Sequence, residues 1–333
     1  MPFTSVFRSA VLVTLGTLGL SQAANAAIFT DDFDADHTSS WTVNNNNNGT
    51  NSAAFFYDYN VMGIPSAPHS SGGSTRGLKI QANTSGTGPA SGALPGISVS
   101  PTGMNFYGDI TLRFDWWHNW IGGTTGGIGN TSGGSGSTQL STFGVLTSGT
   151  SANYAGAADG VFFAADGDGA SAQDYRTYSS EKQSGYAVGD AHNTYAAGSQ
   201  NNTNSLYTTL FPAGATVPTA QNTAYPGTQF GTSVAGTAGF RWHDVIIQKV
   251  GSTVTWTIDG TLIATVDTSA FTVGTKGYNI LFGMADTSYG AGTPAATFQA
   301  VDFTLIDNVT VLPEPAAVGL LGALGTLALR RRK

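Results

Sequence analysis

The sequence predicts an all-β protein in which two antiparallel sheets pack as a sandwich. Apolar and polar residues alternate in several short runs, most clearly over residues 242–266. The 333-residue chain also contains 45 glycines and shows no long helical period, a composition typical of many short strands joined by long loops. Because each strand would have one apolar face, a second sheet is needed to cover it.

The firmest predicted element is a hairpin within residues 242–266. From residue 253 to 258 every second side chain is apolar, so one face of that strand should be buried. Asp259-Gly260 follows as a two-residue turn that tolerates positive φ. Leu262, Ala264 and Val266 then resume the alternation on a returning strand, and residues 242–250 supply a third strand before the hairpin.

Further strands are expected in chain order between Gly- and Pro-rich turns. Short apolar or aromatic runs predict them at residues 28–43 (an edge strand and its return), 53–59, 78–82, 97–99, 109–120 and 161–163. The acidic residues Asp31 to Asp36 could bind calcium or form a solvated loop. Residues 183–239 carry isolated tyrosines, and they could form a lid over a sheet or a surface insertion.

Composition excludes several classes of function. The formal net charge is −7, and Arg8 with the basic run 330–333 places five of the cations at the chain ends. The rest of the chain is therefore more acidic still, so nucleic acid is not expected as a partner. Cysteine is absent, which excludes both a disulfide framework and thiol chemistry.

The N-terminus has the features of a signal peptide. Arg8 precedes an apolar run from Ala10 to Leu20, and Ala24-Asn25-Ala26 places small residues at the two positions that signal peptidase reads. We expect residues 1–26 to be removed after Ala26 during secretion. The alternative is a short buried helix.

The C-terminus combines three features in a fixed order. Pro313-Glu314-Pro315 should end the preceding strand, residues 316–329 carry no charge, and the chain closes with Arg330, Arg331, Arg332 and Lys333. An apolar helix of this length spans about 21 Å, short of the roughly 30 Å hydrocarbon core. Its terminal cations fit a cytoplasmic stop.

This arrangement resembles the PEP-CTERM sorting signal of Gram-negative bacteria. The resemblance implies that residues 312–333 are a sorting tail, associated transiently with the inner membrane through residues 316–329 and recognised by an exosortase. The protein would then be delivered to the cell surface or the exopolysaccharide matrix. The alternative is an ordinary single-span anchor.

The strand at residues 109–120 holds three tryptophans. Phe114 and Trp116 share its apolar face and should be buried. Trp117 and Trp120 remain open between burial and a platform on which sugar rings stack.

Residues 158–163, Ala-Asp-Gly followed by Val-Phe-Phe, resemble the sugar-binding strand of L-type, concanavalin A-like lectins. The resemblance implies a jelly-roll sandwich over residues 27–311, with late strands at residues 281–287 and 303–311. It also implies that Asp159, beside Gly160, hydrogen-bonds sugar hydroxyls, and that the peptide bond before it is cis. An extracellular polysaccharide would be the partner.

The lectins' metal site is not reproduced residue for residue, because no Glu stands in the segment that follows this strand. Asp166, Asp168 and Asp174 could rebuild a calcium site, although the EF-hand pattern fails at Thr177. Alternatively, Arg176 pairs with a carboxylate and locks the loop. No other cofactor is indicated.

Catalysis is not expected. Retaining glycosidases need two carboxyl groups about 5 Å apart, yet the chain has two glutamates, Glu181 in a loop and Glu314 in the tail. The sequence favours a non-catalytic carbohydrate-binding module. The alternatives are a structural matrix or biofilm protein without a discrete sugar site and, third, a glycoside hydrolase of the same fold.

Overall fold

The structure is a computed structural model that describes residues 26–46, 50–84, 94–120, 139–169, 171–226, 229–286 and 300–314. Two antiparallel sheets face each other across one main hydrophobic core, which confirms the predicted sandwich. None of the helices in these ranges is long and apolar enough to cross a membrane.

The strands, in chain order, are β1 Phe29–Asp31, β2 Trp41–Asn45, β3 Ser52–Asp58, β4 Arg76–Gln81, β5 Gly96–Pro101, β6 Ile110–Asn119, β7 Gln139–Thr147, β8 Val161–Asp166, β9 Tyr175–Ser179, β10 Asn193–Tyr195, β11 Trp242–Val250, β12 Thr253–Ile258, β13 Thr261–Asp267, β14 Asn279–Asp286 and β15 Phe303–Pro313. Two short helices, α1 Ser205–Leu210 and α2 Thr219–Ala224, lie between β10 and β11.

The larger sheet has the order β10-β13-β12-β11-β6-β15-β4-β3, with β1 also paired to β15. The smaller sheet has the order β2-β5-β14-β7-β8-β9. Its middle strands are buried on both faces, because a second apolar cluster around Leu140, Phe162 and Leu281 covers the side that faces away from the main core.

Alternation along β6 determines what lies on each face of the larger sheet. Phe114 and Trp116 point into the main core, as predicted. Arg113 and Asp115 point the other way, and Asp244 on the neighbouring β11 is the cross-strand partner of Asp115. The outer face of the larger sheet therefore carries a concentration of charged side chains.

The predicted hairpin is confirmed as β12 and β13, and its turn has φ of 47° at Asp259 and 76° at Gly260. One detail of the prediction is wrong, because Leu262 is 43% exposed. The strand pairing shifts after Trp256, which inserts Ile263 as an extra residue into β13. This β-bulge reverses the inward side for the residues between it and the turn.

Three of the four tyrosines within residues 183–239 are buried and do not line a lid, while Tyr225 is partly exposed. Tyr186, Tyr195 and Tyr207 are all buried, and the last two belong to the main core. Tyr207 in α1 stacks on Tyr175 of β9 with ring centroids 4.0 Å apart. This part of the segment therefore completes the core beneath the end of the larger sheet.

Candidate functional site

Asp159 lies at one end of the sandwich, directly before β8, and its side chain is partly exposed. The side-chain hydroxyls of Thr147 and Ser148 donate hydrogen bonds to its carboxylate. Its backbone N–H donates to Asn153 Oδ1 at 2.8 Å. The peptide bond before it is trans, in contrast to the cis bond that the lectin resemblance implies. The carboxylate is thus held in one orientation at the edge of the solvent.

The other three predicted sugar-binding residues are buried. Gly160 accepts a hydrogen bond from the N–H of Ser180 through its carbonyl, at 2.9 Å. Trp117 is 4% and Trp120 2% exposed. Trp120 stacks on Phe240 with centroids 4.1 Å apart, and Trp117 also packs in this aromatic cluster, apart from Asp159. Neither tryptophan ring presents a face to solvent.

Two exposed tyrosines lie on loops that are hydrogen-bonded to one another and to the Asp159 loop. Tyr107 is 68% and Tyr278 47% exposed, and their rings lie 4.6 Å apart between centroids at an angle of 49°. The N–H of Phe106 donates to the carbonyl of Tyr278 at 2.7 Å, and the N–H of Lys276 donates to the carbonyl of Asp159 at 2.8 Å. These bonds join the two tyrosine loops to the Asp159 loop. We call Asp159, Tyr107 and Tyr278 the tyrosine surface.

The predicted calcium ligands lie where β8 ends. Asp174 Oδ2 accepts from the N–H of Asn202 at 2.7 Å, while Asp166 Oδ1 accepts from the N–H of Asp168 at 3.3 Å. The second oxygens, Asp166 Oδ2 and Asp174 Oδ1, are buried without a hydrogen-bond partner. Burial raises the pKa of Asp166, and the nearby Asp168 raises it further. Burial also raises the pKa of Asp174 to about 6. A proton or a cation would compensate these oxygens.

The three carboxylates do not form a preassembled metal site. Among the described residues, the group of three potential ligands with atoms all within 4.8 Å of one another is His69, Asp115 and Asp244. There, however, Arg113 already supplies the cation. Its Nε and Nη2 donate to the two carboxylate oxygens of Asp244 at 2.7 and 2.9 Å. This bidentate pair disfavours a metal ion at the same place.

His69 links the two aspartates through Arg113. Arg113 Nη2 lies 2.8 Å from His69 Nε2, and because a guanidinium can only donate, Nε2 accepts. The ring hydrogen is therefore on Nδ1, which donates to Asp115 Oδ1 at 2.7 Å. Asp115 Oδ2 accepts from the His69 N–H at 3.0 Å and from Asn308 Nδ2 at 2.8 Å. Asp115 is completely buried, with both oxygens satisfied.

A β-bulge in β15 brings Asn308 into this network. Asp307 pairs with Asp115 and Thr310 with Arg113, so two residues of β15 oppose one of β6. Asn308 takes φ of 52° at the bulge, a conformation that Asn adopts more readily than most residues. Its side chain is thereby directed onto Asp115.

Beside the bulge, the outer face of the larger sheet holds a cleft of about 480 Å³. It is lined by Thr30, Asp31, Asp32, His37, His69, Ser71, Arg113, Phe114, Asn308, Val309 and Thr310. We call it the β15 cleft. Nearly all of its side chains are polar.

A second aspartate–histidine pair closes the far side of the β15 cleft. His37 Nδ1 lies 3.0 Å from Asp31 Oδ1, and Trp41 Nε1 donates to Asp31 Oδ2 at 2.7 Å. The hydrogen bond to Asp31 raises the pKa of His37. Asp31 is buried, and its carboxylate is used in hydrogen bonds within the protein. Asp32 beside it is exposed and presents its carboxylate to the cleft.

Sequence reasoning did not single out Tyr107, Tyr278, His69 or Arg113. The one available signal was on β6, where two charged residues occupy the face opposite the apolar one. Isolated residues in loops, such as His69 and the two tyrosines, carry no periodic pattern.

The predicted signal peptide and sorting tail lie almost entirely outside the described residues. Of the predicted sorting residues, Pro313 and Glu314 are described, and β15 ends at Pro313. Glu314 accepts hydrogen bonds from the hydroxyl of Thr111 and from Gln248 Nε2. Pro315, Arg330, Arg331 and Arg332 lie outside the described ranges.

No protein-family model matches the sequence, and no curated protein is significantly similar to it. The fold is similar to that of the Emp47p carbohydrate-recognition domain, with 10% identity and a TM-score of 0.37 over 83% of this chain and 89% of that one. An endo-β-1,4-glucuronan lyase from Trichoderma reesei shares 13% identity at a TM-score of 0.39 over 87% and 96%. A laminarinase from Flavobacterium sp. UMI-01 shares 11% identity at a TM-score of 0.42 over 86% and 100%.

Proposed function

We propose that this protein is an exported, non-catalytic carbohydrate-binding protein of the cell surface or exopolysaccharide matrix. The tyrosine surface is its primary site. The observation that carries the proposal is the pair of exposed tyrosine rings joined by backbone hydrogen bonds to the loop of Asp159. Export is supported by the signal-peptide and tail patterns in the sequence.

The tyrosine surface offers both interactions that a sugar ring needs. An aromatic ring with one open side gives an apolar platform for the C–H face of a pyranose, and its hydroxyl adds a polar edge. The oxygens of the Asp159 carboxylate can accept hydrogen bonds from sugar hydroxyls. Because Thr147 and Ser148 already orient this carboxylate, binding costs little further ordering.

A non-catalytic role is supported by the state of the acidic pair on the outer face. Asp115 and Asp244 bring carboxylate oxygens within 4.8 Å, near the separation that retaining glycosidases use. Asp115, however, is completely buried and already bonded through both oxygens. Asp244 is held at both oxygens by Arg113. Neither group is free to attack an anomeric carbon or to protonate a leaving oxygen.

Calcium is a secondary part of the proposal. Asp166, Asp168 and Asp174 would hold it, and the unpartnered buried oxygens of Asp166 and Asp174 fit a hard cation. A calcium ion would fix the loop between β8 and β9 and supply no chemistry to a bound sugar.

Retention of the purified residues 27–314, which include all of β15, on a glycan array tests the proposed function. We expect retention on at least one polysaccharide, weakened about tenfold by Tyr278→Ala because a stacking surface is lost. Phe230→Ala is the matched control, since Phe230 is also an exposed aromatic residue but lies outside the tyrosine surface. Its affinity should equal that of the wild type.

The two alternative functions give different results in the same assays. A structural matrix protein without a sugar site would show no retention on any glycan. A hydrolase would release reducing sugar from β-glucan, and this activity would disappear in Asp159→Asn. Either outcome would overturn the proposal.

A further inference from the structure

We infer that the β15 cleft is a second carbohydrate site, separate from the tyrosine surface, which takes a neutral, hydroxyl-rich sugar unit. This inference rests on the proposed function only for the class of ligand, a carbohydrate, because the residues of the β15 cleft are different from those of the tyrosine surface. With two sites, one chain can cross-link polysaccharide strands.

The size of the β15 cleft fits a small ligand. Its volume of about 480 Å³ lies within the roughly 300–1,000 Å³ of ordinary ligand sites. Its lining differs from that of a site for an apolar ligand, because hydroxyl, carboxylate, imidazole, amide and guanidinium groups dominate it. A ligand that matches these groups must itself carry many hydrogen-bonding groups.

The cationic side chains of the β15 cleft are already paired with carboxylates. Arg113 is neutralised by Asp244, and His37 is paired with Asp31. The Asp115 carboxylate is completely buried beneath His69. No cation is left without its own counter-charge in this lining, so an anionic ligand would gain little attraction and would meet the exposed carboxylate of Asp32. A neutral ligand is favoured.

Hydrogen-bonding groups nevertheless face the cleft. The hydroxyls of Thr30 and Ser71 and the carboxylate of Asp32 belong to exposed residues of its lining. The two hydroxyls can both donate and accept, and the carboxylate accepts, so together they complement the hydroxyls of a sugar. The cleft thus offers directional polar contacts without a net ionic attraction.

The walls of the cleft are preorganised. His69 is held on both ring nitrogens, by Asp115 and by Arg113. Asn308 is directed onto Asp115 by the β-bulge, so the floor is fixed by the sheet itself. A site that is rigid before binding loses little conformational entropy when a ligand arrives.

The two sites lie on different parts of the sandwich. The β15 cleft is on the outer face of the larger sheet, centred on β6 and β15. The tyrosine surface is at the end of the sandwich, where Tyr278 precedes β14 of the smaller sheet. A short oligosaccharide is therefore expected to occupy only one of the two sites at a time. A long polysaccharide can be bound by two protein chains at once.

Histidine NMR can test the cleft directly. The sequence has five histidines, two of which, His37 and His69, line the cleft. In isotope-labelled protein titrated separately with glucose, galactose, mannose and glucuronate, we expect at least one neutral sugar to shift both signals. The signals of His118, His192 and His243 should stay fixed. Glucuronate should bind at least tenfold more weakly than the best neutral sugar.

Matched variants connect these shifts to the proposed contacts. Asp32→Asn should weaken the titration about tenfold, because a charge-assisted hydrogen bond is lost. Asp36→Asn is the control, since Asp36 is an exposed carboxylate of the same loop that bonds to Thr38 and does not line the cleft. Tyr278→Ala should leave the cleft titration unchanged.

The outcomes separate this inference from the proposed function. If no sugar shifts His37 and His69 while Tyr278→Ala still impairs retention on glycans, the second site is wrong and the primary one stands. If the signals of His37 and His69 shift and Tyr278→Ala has no effect on retention, the second site stands and the primary one is wrong. Tighter binding of glucuronate than of every neutral sugar would overturn the charge argument.

Discussion

Asp307 shows how burial changes the behaviour of a single residue. It accepts hydrogen bonds from the Tyr59 hydroxyl at 2.9 Å and the Ser70 hydroxyl at 3.1 Å, and it is almost completely buried behind the β15 bulge. Burial raises the pKa of Asp307 to about 7, well above its ordinary value of 3.8. The folded state therefore holds this proton more tightly than the unfolded chain.

The expected consequence is a pH-dependent difference between the wild type and Asp307→Asn. The stabilisation from the bound proton is complete below pH 3.8 and is lost as pH rises through 7. From pH 5 to pH 8 the wild type should lose on the order of 2–4 kcal/mol of unfolding free energy relative to the variant. Urea unfolding at both pH values measures this loss.

The exposed Asp267 provides the control for that measurement. A hydrogen bond from the N–H of Ser269 lowers the pKa of Asp267, so this group is ionised in both the folded and the unfolded state above pH 5. The difference between the wild type and Asp267→Asn should therefore stay constant from pH 5 to pH 8. An equal pH dependence of the unfolding free energy in the wild type and in Asp307→Asn would contradict the raised pKa of Asp307.

Of the three residues of the tyrosine surface, the sequence predicted one as a site residue and did not predict the other two. Asp159 was found because it stands in a recognisable motif. Tyr107 and Tyr278 come together only through the folding of loops about 170 residues apart in sequence, which no local pattern reports. Trp117 and Trp120 were open candidates because alternation cannot show that Phe240 and Trp242 cover the outer side of β6.

Among the elements, alternation identified strands with one buried face, whereas it gives no signal for a strand that is buried on both faces. β6, β11 and β12 alternate and were found from that period. β7 is buried along its whole length and reads as QLSTFGVLT, with no alternation to identify it. β7 was therefore missing from the sequence prediction of the smaller sheet, although both strands that pair with it, β8 and β14, were proposed.

Two glycines of these strands and turns should respond very differently to Ala. A Cβ on Gly144 of β7 would lie 2.3 Å from the carbonyl oxygen of Val161 on β8, so the two central strands would have to separate. A Cβ on Gly260 in the hairpin turn would meet nothing within 4 Å and would only strain a residue at φ of 76°. We expect Gly144→Ala to cost about 3 kcal/mol or more and Gly260→Ala roughly 1–2 kcal/mol.

Chemical denaturation of the two glycine variants gives the comparison directly. Because the turn substitution changes only local backbone strain, its unfolding transition should keep the wild-type slope. Equal destabilisation by the two substitutions would show that the β7–β8 contact is looser than the structure has it.

For the whole molecule, the fold class followed from the sequence while the strand order did not. Alternation shows that a strand has a buried face but says nothing about its partners. β6 pairs with β15, almost 200 residues later, and β10 forms an edge of the larger sheet by pairing with β13. The β15 cleft depends on this order, since it brings residues near 31, 69, 113 and 308 together. A site made by long-range pairing could not be predicted before the pairing was known.

The buried acids of the whole molecule give the last prediction. Burial raises the pKa of Asp166, of Asp174 to about 6 and of Asp302, so near neutral pH the fold must either keep protons on these groups or compensate their charge. Each contributes stability that is full below pH 3.8 and is lost as pH rises through its folded pKa. Without a metal ion, the thermal midpoint should therefore be higher at pH 5.5 than at pH 8.

Calcium should reduce this difference if it occupies the site proposed at the end of β8. A cation that binds the ionised carboxylates stabilises the folded state by mass action, and it does so more at pH 8, where fewer protons compete. We expect millimolar calcium to raise the midpoint by several degrees at pH 8 and little at pH 5.5. Asp174→Asn should abolish the calcium effect, whereas Asp190→Asn, at a partly exposed carboxylate paired with Lys182, should preserve it. A midpoint that is indifferent to calcium at pH 8 would contradict the proposed site, because the pKa of Asp174 is raised only to about 6 and its proton is largely lost at that pH.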